Sequence, residues 1–143
     1  MLRSYKIILS TVLLLLFISC NKKQEIESDI YGNLYLSSFY MNKHYLTDDS
    51  SFEINFERNS GWLTLNDLTK NLMYSAKFEF VNEKKDSIKI SKSKFNGLNG
   101  LYSIHIDTLS TSEQSDAISI TFKSKTVYLK GYKSIVKSLA SLK

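Results

Sequence analysis

The chain has 143 residues, 43% of them hydrophobic, 13% aromatic and 23% charged, with no proline and one cysteine. That length accommodates one domain of the usual ~100–150 residues, and the aromatic content excludes a disordered polymer. A single cysteine excludes an internal disulfide scaffold, a cysteine-rich zinc finger and a CxxC redox pair, and the formal net charge is +5.

The first segment reads as an address and is set apart from the fold. Arg3 and Lys6 make a short basic start, and residues 7–18 are apolar except for Ser10 and Thr11. A bilayer-spanning helix takes ~20 apolar residues, more than this stretch supplies. Small Ser19 precedes Cys20, and polar sequence begins at Asn21. In Leu16-Phe17-Ile18-Ser19-Cys20 the chain resembles bacterial lipoprotein precursors, whose lipobox ends in a small residue followed by cysteine; Phe17 stands where Leu is commonest. The resemblance implies a signal peptide over residues 1–19 and acyl chains such as palmitate on Cys20. It also implies a membrane partner through that lipid and a place in the bacterial cell envelope, with the outer membrane expected and the facing side left open. Two or three acyl chains, at ~0.8 kcal/mol per buried CH₂, anchor a protein firmly.

Without Arg3 and Lys6 the chain keeps 17 basic against 14 acidic side chains, a net +3, and all but Arg58 of those basic residues are lysines. Nucleic-acid readers favour the bidentate arginine fork, so no nucleic-acid partner is expected. The densest basic stretch, Lys84, Lys85, Lys89, Lys92 and Lys94, is offset by Glu83 and Asp86. It reads as a solvated strand face, with an anionic partner such as a phosphate-bearing glycolipid as the functional alternative.

Residues 20–30 read as the lipidated start and a polar, aperiodic tether. Ten extended residues at ~3.3 Å each reach ~33 Å from the membrane surface. Residues 31–143 read as a single β domain, because the apolar period from Asn33 onward is two. Strands are expected over residues 34–40 and 101–108, the second with Tyr102, Ile104 and Ile106 on one side. Hairpins are fixed by register, since facing residues share a side. A loop at residues 58–61 pairs Phe56 with Leu63 and Ile54 with Leu65. A tip at residues 83–85 pairs Phe80 with Ile88 and Phe78 with Ile90, and sets Glu79 against Lys89 on the other face. A two-residue loop at Ser124-Lys125 pairs Phe122 with Val127, Ile120 with Leu129 and Ile118 with Gly131. Two Asn-Gly signals mark residues 94–100 as a long connection, and the phase change between Ile90 and Phe95 places a bulge or strand end near residues 91–93. Ile135, Leu139 and Leu142 share one face of a short C-terminal helix.

The expected fold is therefore all-β, an antiparallel meander of about eight strands forming a small barrel or sandwich, with a short C-terminal helix. The layout looks like a lipocalin-type barrel, although Gly61-Trp62 lacks the intervening residue of that family's Gly-x-Trp signature.

Candidates for chemistry are few. His105 alternates with Ile104 and Ile106 and reads as outward-facing, while His44 beside Asp48 and Asp49 lacks metal-ligand spacing. No Gly-x-Ser-x-Gly elbow and no phosphate loop occur. The expectation is a protein that is not an enzyme, with no cofactor and no metal. Aromatics remain: Tyr31, Tyr35, Phe39, Tyr40 and Tyr45 crowd the start of the domain, and Trp62 pairs with Glu57 on the face opposite Phe56 and Leu63. Trp62, Tyr31, Tyr35 and Tyr40 are the candidate recognition surface.

Two functional classes follow. One is a non-catalytic binding module whose interior or open end holds a small apolar or glycan ligand in a pocket of roughly 300 Å³ or more. The other is a protein-interaction role, as an accessory subunit or an inhibitor or immunity protein of the envelope. An interior filled by Phe56, Phe78, Phe80, Ile104 and Phe122 would defeat the first in this form. The anchor is tested directly: Cys20→Ser leaves an unprocessed precursor without acyl label, and normal metabolic labelling of that variant would refute lipidation.

Overall fold

The computed structural model describes residues 29–110 and 115–136. The signal-like segment, Cys20 and most of the tether lie outside the described residues, as do Leu139 and Leu142 of the expected helix. Its first residue, Ile135, belongs to a strand.

Nine strands follow one another: β1 (Gly32–Met41), β2 (His44–Tyr45), β3 (Phe52–Phe56), β4 (Trp62–Asp67), β5 (Leu72–Phe80), β6 (Ser87–Ser91), β7 (Gly100–Ser110), β8 (Ser115–Lys123) and β9 (Val127–Val136). Alternation explains them. Phe52, Ile54 and Phe56 of β3, Leu63 and Leu65 of β4, and Ile118, Ile120 and Phe122 of β8 are buried, as expected of strands that turn one face to a core. Among the described residues no helix is long and apolar enough to cross a membrane.

Each strand from β3 to β9 pairs antiparallel with the next, β3 also pairs with β1, and β1 pairs with β9. Eight strands thus form a closed up-and-down barrel of lipocalin-like architecture, with β2 folded back on the end of β1. An even strand count lets the last strand meet the first antiparallel. β1 serves both neighbours by dividing its length. Residues 32–36 pair with β3 and residues 35–41 with β9. The second pairing is interrupted between Leu36 and Ser38, where the Ser37 hydroxyl donates to the Lys130 carbonyl at 3.2 Å. This bulge resets the phase, so Leu34 and Leu36 point inward before it and Phe39 after it. Gly131 makes the seam possible. A Cβ there would stand 3.1 Å from Leu36 Cδ2 and 3.2 Å from both Leu34 Cδ2 and the Tyr35 carbonyl.

Two hairpin registers agree with the sequence: Phe56 faces Leu63 and Ile54 faces Leu65, while Phe78 faces Ile90, Phe80 faces Ile88 and Glu79 faces Lys89. The third is corrected by two residues. Phe122 faces Leu129 and Ile120 faces Gly131, because the loop residues are Lys125 and Thr126. Ser124 closes that turn. Its N–H donates to the Val127 carbonyl at 2.8 Å, and its hydroxyl accepts from the Val127 N–H at 3.0 Å. β6 ends at Ser91, where the phase change indicated.

Aromatic rings span the barrel interior. Phe56 of β3 stacks on Phe122 of β8 at 5.1 Å, and Phe78 of β5 meets Phe56 edge-on at 5.0 Å. An eight-stranded barrel is just wide enough for side chains to fill or for one small ligand, and these rings occupy its middle. Buried side chains stand toward both ends. At the N-terminal end Ile30, read from sequence as the last tether residue, is fully buried. At the opposite end residues 92–99 fold inward: Leu98 is fully buried, and Phe95 packs on Phe39 at 5.6 Å and Tyr74 at 4.9 Å. Gly97 fits against the β1–β2 turn, since a Cβ would lie 2.9 Å from Met41 Sδ.

Phe122→Ala removes the ring on which Phe56 stacks and should cost about 3–5 kcal/mol. Gly131→Ala should cost about 1–3 kcal/mol by overpacking the seam. Denaturant midpoints of the two variants measure both, and an unchanged midpoint for Gly131→Ala would mean that the β1–β9 contact is looser than described.

Candidate functional site

The four nominated recognition residues separate into two regions. Tyr35 and Tyr40 lie on the outer side of β1, Tyr35 61% exposed. Trp62 stands at the start of β4, 37% exposed, with the Lys77 ammonium 4.9 Å from its ring centre. The lysine stem shields part of the indole, a cover supplied by the adjacent strand. Tyr31 is partly buried against the core. Its ring lies 6.3 Å from that of Phe78 and carries the Arg58 guanidinium at 5.4 Å. The Lys133 ammonium donates to the Tyr31 carbonyl at 2.8 Å. Burial lowers the Lys133 pKa, Asp29 pulls it back up and Arg58 pushes it down. Tyr31 and Lys133 therefore close the N-terminal end of the barrel.

Tyr40 belongs to a larger arrangement. Reading across the sheet, Lys123 faces Tyr128, Tyr128 faces Tyr40, and Tyr40 faces Tyr45. One row of directly opposed outward residues thus crosses β8, β9, β1 and β2. The Tyr40 and Tyr45 rings are 4.9 Å apart. In the neighbouring row Thr121 faces Lys130 and Lys130 faces Ser38, and the Lys130 ammonium lies 5.7 Å from the Tyr132 ring centre.

Open clefts flank the tyrosine row on both sides. One, of about 450 Å³, lies toward the barrel end between the β1–β2 and β8–β9 turns and is lined by Lys43, Lys123 and Lys125 together with Tyr40 and Tyr128. The other, of about 510 Å³, is lined by Tyr45, Ser38 and Lys130 and shares Tyr40 and Tyr128. No carboxylate lines either cleft. The two turns are joined by the Asn42 N–H, which donates to the Thr126 carbonyl at 3.0 Å. Asn42 and Lys43 have φ of 50° and 72°, the left-handed pair of a type I′ turn, whose second position favours glycine. Lysine occupies it here.

The rest of the nominated chemistry is dispersed. His44 is exposed on β2, and His105 is exposed on β7, with Nε2 3.0 Å from Asp107 Oδ1. Among the described residues no three His, Cys, Asp or Glu side chains gather as a metal site would require. The basic stretch of residues 84–94 does not form one face. Lys89 pairs with Glu79 at 3.6 Å, Lys85 lies 5.6 Å from the Phe80 ring centre, and Lys92 follows β6 at the other end of the barrel. The lysines that converge are Lys123, Lys125 and Lys130, which lie within eight residues on the β8–β9 hairpin, and Lys43, about eighty residues earlier. Only the arrival of Lys43 depends on β1 pairing with β9.

Beneath the cleft, Tyr102 is fully buried and its hydroxyl donates to the Leu98 carbonyl at 2.7 Å. Burial pushes its phenol up to about 12, with the Ser124 hydroxyl pulling the other way. In comparisons with family models, curated proteins and solved structures, nothing matches this chain.

Tyr102 ties the inward-folded residues 92–99 to the wall of the barrel. Its folded pKa lies above the unfolded value of 10.0, so the stability it contributes is complete below pH 10 and is lost as pH rises toward 12. Tyr102→Phe should lower stability at pH 7 by about 1 kcal/mol through the lost hydrogen bond. It should also flatten the alkaline decline of the denaturant midpoint relative to the parent. An equally steep decline in both proteins would show that other groups govern it.

Proposed function

We propose that the protein is a non-catalytic binding module of the bacterial cell envelope, held to a membrane by lipid on Cys20, whose ligand binds outside the barrel and is a glycan. The observation that carries this reading is the contrast between interior and seam. The interior is occupied by stacked rings and stopped at both ends by Ile30 and Leu98. The outer side of the β1–β9 seam instead presents partly exposed tyrosines beside open clefts. Tyrosine combines a large apolar ring with a polar hydroxyl and few rotors, which suits the C–H faces and hydroxyls of sugars.

The polarity of the barrel supports the same reading. β1 starts beside the first described residues and finishes at the tyrosine row, so the clefts lie at the opposite end of the barrel from Ile30.

A protein-interaction role, as an accessory subunit or inhibitor, draws on a different patch. Val81 and Leu101 are 52% and 59% exposed and line an open cleft of about 610 Å³ with Ile90. Exposed apolar side chains of this kind are a recurrent feature of contact surfaces.

Two measurements on the full chain test the glycan reading. Solvent extraction of the purified lipoprotein followed by mass spectrometry should release no stoichiometric apolar molecule, since acyl chains on Cys20 are covalent and stay with the protein. A tightly held fatty or isoprenoid compound would overturn an exterior site. Native electrophoresis through gels containing neutral or acidic polysaccharides should retard the protein in at least one. Unaltered mobility in all of them, with stoichiometric recovery of a protein from envelope extract, favours the interaction role.

A further inference from the structure

We infer that the seam clefts take an acidic saccharide chain, its sugar faces on Tyr40 and Tyr128 and its carboxylate or phosphate groups on Lys43, Lys123, Lys125 and Lys130. The inference rests on the glycan-binding reading and specifies the charge of the ligand.

Three features of the seam point to a negatively charged chain. Lysines flank the tyrosine row on both sides, three at the turn end and Lys130 in the second cleft. Neither cleft has a lining carboxylate to neutralise them, so a bound anion meets no internal competitor. The tyrosines are continuous between the clefts, because Tyr40 and Tyr128 line both. With strands ~4.8 Å apart, the row from Lys123 to Tyr45 spans roughly 14 Å, longer than a single sugar. A chain crossing the row therefore finds rings beneath it and ammonium groups to either side.

The β1–β2 turn places Lys43, in a left-handed position of φ 72°, at the edge of the first cleft. The Asn42–Thr126 backbone bond then holds this lysine across from Lys125 on the facing turn.

Single-stranded nucleic acid also combines rings with charge, but its readers rely on arginine as well as aromatics. The sole arginine of the described residues, Arg58, lies at the opposite end against Tyr31. The clefts lie at the opposite end of the barrel from Ile30, and an anionic bilayer is among the probes below.

Binding of the full chain in neutral detergent can be measured by calorimetry against an oligogalacturonate and a neutral maltooligosaccharide of equal length. A single-stranded oligonucleotide and phosphatidylglycerol vesicles complete the set of probes. The oligogalacturonate should bind, and high salt should weaken it. Lys43→Gly and Lys125→Gln should each reduce affinity roughly tenfold, the equivalent of about 1.4 kcal/mol. Lys43→Gly should do so with no fall in Tm, which separates lost contact from lost fold. Lys84→Gln, at the other end, should leave binding unchanged.

Equal affinity for the neutral oligomer, or oligogalacturonate binding indifferent to both cleft lysines, overturns the acidic-ligand inference and leaves the glycan reading standing. Tighter binding of the oligonucleotide or vesicles with the same lysine dependence also overturns it and reassigns the cleft. No binding of either saccharide removes both.

Discussion

Pairing of β1 with β9 is the constraint on which the remaining structure depends. It joins residues about a hundred positions apart, and without it the meander is an open sheet with two unpaired edges. Closure is a matter of geometry as well as hydrogen bonding. β1 must leave β3 and reach β9 along its own length, which it does through the bulge at Ser37. β9 must approach closely enough for Leu34 and Leu36 to touch its backbone, which only Gly131 permits. The sheet thereby loses its edges, and its inner face becomes a core enclosed on all sides.

The same closure defines an inner and an outer face. Eight strands leave an interior that side chains can fill or that can hold one small ligand, and Phe56, Phe78 and Phe122 put rings across it. Ile30 and residues 92–99 then stop the two ends. Inward residue size decides between the two outcomes, and in this lipocalin-like architecture the inward residues among the described ones include large aromatic rings in mutual contact. The seam itself supplies the exterior feature, because the strands that close the barrel also carry Tyr40, Tyr128 and Lys130 on their outer side.

Strand identity and facing were legible in the sequence, and the reason is the period of two. Phe56 against Leu63 and Phe78 against Ile90 follow from alternation plus a loop of suitable length. Alternation is blind to a slip of two residues, since such a slip returns every side chain to its own side. That is why the Ser124 turn came out one residue displaced while Phe122, Ile120 and Leu129 still pointed inward. The decisive contact there is a serine hydroxyl replacing a carbonyl as acceptor, a local event that hydrophobic pattern does not register. Of the candidate site, Tyr35 and Tyr40 were nominated for their density along the chain. Tyr128 and the cleft lysines were not, although Lys123, Lys125 and Lys130 stand close together in the chain, because Lys43 and Tyr40 join them only in space. The denser basic stretch, residues 84–94, disperses around the barrel. Proximity in the chain and proximity in space diverge most where the first and last strands meet.

β1 has a further consequence, a mechanical one. It begins beside the first described residues and ends at the turn that carries Lys43. In a molecule anchored at Cys20 and holding a ligand in the seam clefts, as proposed above, tension would run along this strand. Its hydrogen bonds to β3 and then to β9 lie across that direction, so such a load would shear them together and would not peel them one at a time. A strand held along its whole length, first by one neighbour and then by the other, yields to a lengthwise pull only when many bonds fail at once.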